Sequence, residues 1–471
     1  MNFTLSNKEQ EIFEIVGKAG EELQSPVFAI GGFVRDKLLQ RNSKDIDFVC
    51  QGNGIKLAYK VRDFLDSSLK VSVFKTYGTA HIKYQDIELE FVGARKESYH
   101  KDSRNPEVEI GTLEDDQNRR DFTINALAID LSKENFGKLI DPFDGLKDLA
   151  SKIIRTPLEP EVTFSDDPLR MMRAIRFATQ LNFKIEDTCF SSIQKQSERI
   201  KIVSKERISD ELNKIIMAKK PSIGLDLLYK AGLLEYLLPE LTDLRGVEII
   251  ENVGHKDNFY HSLQVLDNIS PFTDNLWLRW AALLHDIGKT KAKRFDEQNG
   301  WTFHGHERIS GRMVPAIFKR LKLPTQQHLA FVKKIIELHH RPVSLTNEDI
   351  TDAALRRLLF DAGDDLEDLM ILCKADITSK NKYKVKKYIA NFEEVERRIK
   401  EVEEKDKIRN WEPPISGDLI METFGLKPSR EVGMIKKQIR EAILDGAIKN
   451  NYEDAFAFML EYAASLGLQP V

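Results

Sequence analysis

Asp45-Ile-Asp47 sets two carboxylates two residues apart in a run that reads as a β-strand. Alternate residues of a strand face the same side. Both side chains can therefore hold one or two hard Mg²⁺ ions together with substrate phosphates, as two-metal transfer of a phosphoryl or nucleotidyl group requires. Just upstream, Phe28-Ala-Ile-Gly31-Gly32-Phe-Val-Arg35-Asp36 reads as a strand, two glycines and a helix. Adjacent glycines let backbone N–H groups approach a triphosphate, and a helix start favours anionic oxygens. Each feature alone is common, since an exposed carboxylate usually does no more than meet solvent. A second set lies downstream: His255, His261, Leu283-Leu284-His285-Asp286-Ile-Gly-Lys289, His304-Gly-His306-Glu307, His339-His340-Arg341 and Asp376. Seven of the ten histidines belong to it. A tandem His-Asp after an apolar helical run offers an imidazole and a carboxylate to a divalent metal, with other ligands from distant helices.

The elements that must position these residues change character along the chain. Short β-rich runs (Val27 to Ile30, Ile46 to Val49, Lys70 to Phe74, Ala80 to Tyr84, Ile87 to Val92) alternate with turns and two helical stretches over the first 150 residues, a mixed α/β module. From about Asp167 the period becomes helical, as in Leu169, Met172, Ile175 and Phe177, with breaks near Pro239, Pro324, Pro342 and Pro413-Pro414. The charge-laced segment Lys380 to Arg409 reads first as a solvated helix and second as an RNA-facing surface. The expected class is α+β: a mixed-sheet head (1–150), a helical neck (151–245), a histidine-bearing helical domain (246–390) and a helical tail (391–471).

Four further motifs follow the Asp-x-Asp in order. They are Arg119-Arg120-Asp121-Phe122-Thr-Ile-Asn125-Ala126; Asp141-Pro-Phe-Asp-Gly145; Asp166-Asp167-Pro-Leu-Arg170-Met-Met-Arg173-Ala-Ile-Arg176-Phe-Ala; and Glu206-Arg207-Ile-Ser-Asp-Glu211. This succession closely resembles the bacterial and eukaryotic class of tRNA nucleotidyltransferases, the CCA-adding enzymes, which share a polymerase-β-like head with bacterial poly(A) polymerases. The resemblance covers about the first 240 residues. It implies that Asp45 and Asp47 are Mg²⁺ ligands and that Gly31, Gly32, Arg35 and Asp36 form and support a triphosphate-binding turn. A third carboxylate is expected from a neighbouring strand, and Glu90 is chosen over Glu88. Arg119, Arg120, Asp121 and Asn125 are expected in a nucleotide-gripping loop, with a helix N-terminus capped by Asp121 as the plain alternative. Asp141 and Gly145 look like the turn joining head to neck.

Asp167 and Arg170, three apart on an expected helix, can present an acceptor and donors to one base edge. In the resembling family such a pair accepts cytosine or adenine and rejects guanine and uracil, so protein replaces a template. The alternative is an intrahelical salt bridge. The family commonly has Glu where Asp166 stands. Arg173 and Arg176 extend the basic face toward triphosphate or tRNA, one of them as a possible brace for Asp167, and Glu206, Arg207 and Glu211 are read as structural support. The histidine set resembles the HD superfamily of metal phosphohydrolases, mapping ligands onto His261, His285, Asp286 and Asp376, with His306 and His339 as candidates for a second metal site. Pro414-Ile-Ser-Gly417, Phe424-Gly425-Leu-Lys427-Pro428 and Gly433 resemble the helical tail that helps hold tRNA, with Ser429 at a place where glycine is frequent.

Composition agrees with an ordinary globular protein: 41% hydrophobic and 31% charged residues. The net charge of −4 does not exclude nucleic acid, because phosphate contacts are local. Met1 to Ser25 mixes charges with apolar residues, so neither a secretion signal nor a membrane span is expected, and Cys50, Cys189 and Cys373 have no metal-ligand spacing, as in a cytoplasmic protein. The reading is Mg²⁺-dependent, template-independent addition of CCA to tRNA from CTP and ATP. Its variants are A-adding, CC-adding or poly(A) synthesis. The reading from another class is an HD phosphohydrolase with its own divalent metal and an RNA-binding head.

Overall fold

Ser6 opens the first helix. Its hydroxyl accepts from the Glu9 N–H at 3.3 Å, and the Glu9 carboxylate takes the Ser6 N–H in return at 2.7 Å, so two orphan donors of the first turn are met reciprocally. The computed structural model describes residues 4–75, 78–98, 107–250, 253–254, 257–298, 300–345, 351–378, 381–406, 409 and 411–471. They divide into two compact units, Met1–Leu237 and Leu238–Val471.

The first unit is built on α1 (Asn7–Glu22), β1 (Val27–Ile30), α2 (Gly32–Leu38), β2 (Asp45–Cys50), α3 (Gly54–Leu65), β3 (Val71–Phe74), β4 (Thr79–Tyr84) and β5 (Ile87–Gly93). A ribbon of β6 (Arg95–Ser98) and β7 (Glu107–Ile110) leads to α4 (Leu113–Asn118), β8 (Ala128–Asp130), β9 (Leu139–Ile140) and α5 (Gly145–Ser151). Seven strands form one sheet in the order β3-β4-β5-β2-β1-β8-β9. Only the β2–β5 pairing is parallel. The five strands expected from alternation are present. Among the described residues of the first 150 there are five α-helices rather than two, because α2, α4 and α5 are too short to show a helical period. Phe48 stacks on Phe91 with centroids 5.3 Å apart and meets Phe13 edge-on at 5.9 Å. These rings are fully buried between the sheet and α1, and burying each is worth roughly 2–3 kcal/mol.

The helical part begins with α6 (Pro160–Asp166) and α7 (Leu169–Leu181), followed by α8 (Asp187–Gln196), α9 (Lys205–Ile216), α10 (Pro221–Lys230) and the single turn α11 (Leu234–Leu237). Two-residue strands Ile153–Ile154 and Lys184–Ile185 pair in parallel beside α7.

The second unit opens with the short α12 (Pro239–Thr242), then α13 (Asn258–Ile269), α14 (Leu276–Leu284), α15 (Lys289–Ala292), α16 (His306–Arg320), α17 (Gln327–Leu338), α18 (His340–Ser344), α19 (Asp352–Ala362), α20 (Leu366–Ala375) and α21 (Lys382–Asp406). The charge-laced α21 is solvated on one side only: Phe392, Val395, Ile399 and Val402 form a buried stripe. Three last helices, α22 (Gly417–Phe424), α23 (Arg430–Asp445) and α24 (Tyr452–Ser465), close on a small core of Ile415, Ile420, Phe424, Ile435, Ile439 and Met459. Gly425 ends α22 at φ +61°, and Ser429 is the N-cap residue of α23. No described helix is long and apolar enough to cross a membrane. All three cysteines are buried and unpaired.

Candidate functional site

β2 and β5 run side by side with Asp45 opposite Glu88 and Asp47 opposite Glu90. Strand alternation turns Ile46 and Phe48 into the core and all four carboxylates to the other face. There they line a cavity of about 630 Å³ with Gly32, Arg35, Asp36, His81, Arg120, Asp121, Asn125, Arg173, Arg176, Phe177 and Lys214. That volume lies within the roughly 300–1,000 Å³ of small-molecule sites. Alternation alone cannot separate Glu88 from Glu90, since both face the cavity. Register sets Glu90 directly beside Asp47, with His81 Nε2 3.5 Å from Glu90 Oε1. Burial pushes the Asp47 carboxyl up to about 6; Arg120 opposes this, while Glu90 and Asp45 add to it. Clustered hard oxygen donors whose mutual repulsion a cation relieves fit Mg²⁺.

Gly31 precedes α2 at φ +83° and ψ −138°, a conformation essentially confined to glycine. A Cβ there would stand 2.9 Å from Arg120 Nη1 and 3.2 Å from Asp47 Oδ2. The expectation that both glycine N–H groups meet phosphate is corrected at one of them: the Gly31 N–H donates to the Leu127 carbonyl at 3.2 Å. Arg35 is likewise committed, donating to both Asp36 oxygens at 2.9 Å and to Asn125 Oδ1 at 2.7 Å, and stacking 4.9 Å from the Phe177 ring.

The remaining cations are braced in the same way. Arg119 and Arg120 both donate to Asp116, which is wholly buried. Sequence reading missed Asp116, although an acid three and four residues before two arginines is a helical pairing signal. Arg120 lines the cavity, whereas Arg119 does not. Asp121 caps no helix, contrary to the alternative reading. It accepts from the Phe122 N–H (2.9 Å), Asn125 Nδ2 (3.0 Å) and Arg173 Nε (2.7 Å). Burial opposes its charge, yet Arg173 and Asn125 draw its carboxyl down to about 2. Asn125 therefore ties Arg35 to Asp121 through its side-chain amide. Asp141 accepts from the Gly145 and Leu146 N–H groups at 2.7 and 2.9 Å, so this turn seats α5 against the head.

The expected Asp167–Arg170 neighbourhood on one helix is also corrected. Asp167 is extended (φ −137°, ψ 99°) between α6 and α7, with Pro168 after it. A residue before proline avoids the α conformation. Asp167 pairs with Arg207 at 2.9 Å, while Arg170 donates to the Arg119 carbonyl at 2.6 Å. Neither lines the carboxylate cavity. Arg173 braces Asp121 and Arg176 meets Glu211 at 2.5 Å, so neither is the expected brace for Asp167.

In the second unit α13, the end of α14, α16, α17 and α20 converge. His261 Nε2 lies 3.3 Å from Asp286 Oδ2 and 2.9 Å from Asp376 Oδ1, and His285 Nε2 lies 3.3 Å from Asp286 Oδ2. His306 Nε2 stands 3.1 Å from Asp286 Oδ1. Three rings donate from Nδ1 to carbonyls of their own turn: His285 to Ala282 (2.8 Å), His306 to Phe303 (2.8 Å) and His339 to Ile336 (2.6 Å). A carbonyl can only accept, so Nδ1 carries the proton and a neutral ring leaves Nε2 as a bare donor of electrons. The Nε2 atoms of His285, His306 and His339 and Oδ1 of Asp286 are buried without a hydrogen-bond partner. Close approach of buried donors without hydrogen-bond geometry fits a divalent metal.

With His340, which sequence reading did not choose as a ligand, His306 and His339 form a second converging group. Gly288 is required where it stands, because a Cβ would overlap the His306 carbonyl. Lys289 meets Asp286 Oδ2 at 2.6 Å. Burial presses His339 down to about 3, in keeping with a neutral ring. His255 lies outside the described residues, and His304 is exposed.

Comparison with known proteins matches the regions that carry the two clusters to known families. Residues 27–155 match the family described as poly A polymerase head domain, residues 182–244 the probable RNA and SrmB-binding site of polymerase A, and residues 258–381 the HD domain. An A-adding tRNA nucleotidyltransferase of Aquifex aeolicus is 39% identical over 58% of this chain, and the match spans only 32% of that protein. One of Deinococcus radiodurans is 32% identical over 74% of this chain and 80% of its own length. A CCA-adding enzyme of Streptococcus sanguinis is 28% identical over 97% and 98%. In fold, a CCA-adding enzyme solved with ATP superposes with a TM-score of 0.64 at 23% identity, covering 98% of this chain and 96% of the other. Carboxylates on one sheet face, an arginine-braced cavity and a His-Asp cluster thus sit in a chain that belongs to the CCA-adding enzyme and poly(A) polymerase family, in the class with an HD domain.

Proposed function

We propose that this chain extends the 3′ end of tRNA without a nucleic-acid template, adding C, C and A from CTP and ATP. The observation that carries the reading is the cavity in which Asp45, Asp47 and Glu90 share a face with Arg120, Arg173 and Arg176. Asp45, Asp47 and Glu90 would hold Mg²⁺, which supplies charge to the attacking 3′ oxygen and the departing pyrophosphate. The guanidinium groups, fixed by Asp116, Asp121 and Glu211, hold the triphosphate, and Gly32 in the cavity wall, after the turn at Gly31, lets it lie close to the backbone. Asp167 and Arg170 select the base. The work divides among head (1–150), neck (151–245), HD domain (246–390) and tail (391–471), acting on tRNA in the cytoplasm. His261, His285, Asp286 and Asp376 hold a divalent ion in the HD domain, and His306 and His339 with His340 a second.

A-only addition is the second reading, favoured by the Aquifex and Deinococcus relatives, both A-adding tRNA nucleotidyltransferases. The test supplies each labelled nucleoside triphosphate with Mg²⁺ to tRNA transcripts lacking CCA, lacking only the A, or replaced by unstructured RNA. Ordered incorporation of two C and one A is expected. A alone on the transcript ending in CC establishes the A-adding reading, and long A tails on any RNA mark a poly(A) polymerase. No incorporation refutes the transferase reading and leaves HD phosphoester hydrolysis.

A further inference from the structure

Arg207 is the third residue of α9, and its Nη2 lies 2.9 Å from Asp167 Oδ2. The other oxygen, Oδ1, accepts the Leu169 N–H at 3.2 Å. Four residues further along α9, Glu211 holds Arg176 at 2.5 Å. Residues four apart share one face of a helix. A single face of α9 thus fixes both the carboxylate assigned to base selection and an arginine of the nucleotide cavity.

We propose that Arg207 is a positioning residue for base selection, aiming the Asp167 carboxylate so that its remaining lone pairs accept from an exocyclic amine. This rests on the assignment of Asp167 as the selecting acceptor. A carboxylate offers about four lone-pair sites. Arg207 and the Leu169 N–H use two and leave two. Adenine and cytosine carry an amine on the edge concerned, whereas guanine and uracil carry an oxygen there, and two acceptors facing each other repel. Direction is what makes this discriminate. The last torsion of an aspartate is broad, and with Leu169 as its sole anchor the carboxylate turns and lets a water or a rotated base fit. The ion pair is partly open to solvent, with side-chain exposures of 43% for Arg207 and 19% for Asp167, so its loss leaves no buried, unpaired charge to unfold the neck.

The test uses the full chain and a tRNA transcript ending in CC, measuring kcat and KM separately for ATP and GTP. The proteins are the wild type, Arg207→Ala, Arg207→Lys, Asp167→Ala and the double variant. Arg207→Ala is expected to raise the KM for ATP about tenfold, the equivalent of one charge-assisted hydrogen bond, and to narrow ATP-over-GTP discrimination about as much. Its kcat should stay within about threefold, Arg207→Lys should restore most of the discrimination, and Arg207→Ala should add nothing to Asp167→Ala. If Asp167→Ala loses discrimination while Arg207→Ala keeps it, the role of Arg207 is overturned and that of Asp167 stands. If Asp167→Ala discriminates as the wild type does, the base-selection reading itself fails and this inference with it. A lower melting temperature with unchanged KM values in Arg207→Ala would reduce the pair to a structural brace and also overturn the proposal.

Discussion

Asp121→Asn separates charge from shape at the joint between head and neck. The carboxylate is 7% exposed and gathers the Phe122 N–H, the Asn125 amide and the Arg173 guanidinium. Burial works against its charge, but Arg173 and Asn125 bring its carboxyl from the ordinary 3.8 to about 2. At about 1.36 kcal/mol for each tenfold change, that difference corresponds to about 2 kcal/mol. A depressed carboxyl stabilises the fold fully above its unfolded value and loses that contribution as pH falls from 3.8 toward 2. Asparagine keeps the shape but turns an amide toward Arg173, so the variant should lose about 2 kcal/mol at pH 7 and only about half as much at pH 3. Urea unfolding followed by far-ultraviolet circular dichroism measures this, with hydrogen exchange of residues 113–181 as the local readout. Tryptophan fluorescence is unsuitable, since Trp277, Trp280, Trp301 and Trp411 all belong to the second unit. A gap below about 0.5 kcal/mol at pH 7, or one unchanged at pH 3, would refute the view that charge pairing holds this joint.

Asp47→Ala should lower nucleotide incorporation by at least about a thousandfold without lowering the melting temperature, because it removes a half-buried carboxylate from among like charges; retained incorporation would refute its assignment as a metal ligand. Gly31→Ala should cost about 1–3 kcal/mol from backbone strain alone and also depress incorporation, since the new Cβ displaces Arg120 or Asp47; a thermal melt unchanged from the wild type would show that the turn relaxes freely. Asp286→Ala should abolish retention of Mn²⁺ or Ni²⁺ measured by elemental analysis after gel filtration, while incorporation at Asp45 and Asp47 continues; metal retained at the wild-type ratio would remove Asp286 from the ligand set.

Much of the head could be read from the sequence because its signals are local. Period-two alternation in Ile46 to Val49 and Ile87 to Val92 already sets Asp45, Asp47, Glu88 and Glu90 on one face each, and only the parallel register of β2 with β5 is needed to join the faces. The HD cluster was legible for a similar reason: His-Asp-Ile-Gly-Lys ends an apolar helix, and the missing side chain of Gly288 lets α16 come close. The error at Asp167 was avoidable, since Pro168 signals an extended residue before it. Other partnerships were out of reach, because Arg176 with Glu211, Arg207 with Asp167 and Arg173 with Asp121 join residues 35 to 52 positions apart. No spacing rule reaches across such separations.

These partnerships, together with Arg120 on Asp116, bear on how a protein of net negative charge would take a triphosphate under the proposed function. Arg120, Arg173 and Arg176, the three arginines lining the cavity besides Arg35, each rest on a carboxylate: Asp116, Asp121 and Glu211. An arginine has five N–H donors, and one carboxylate engages at most two or three of them. The brace therefore fixes the fork and leaves donors for phosphate oxygens. Immobilising a free arginine costs about 2 kcal/mol of rotamer entropy, so three braced ones spare the incoming nucleotide up to about 6 kcal/mol that it would otherwise lose on binding. The same carboxylates lower the net positive field of the cavity. In the proposed transfer, positioning by Asp116, Asp121 and Glu211, rather than an excess of positive charge, is what the neck and head would contribute together.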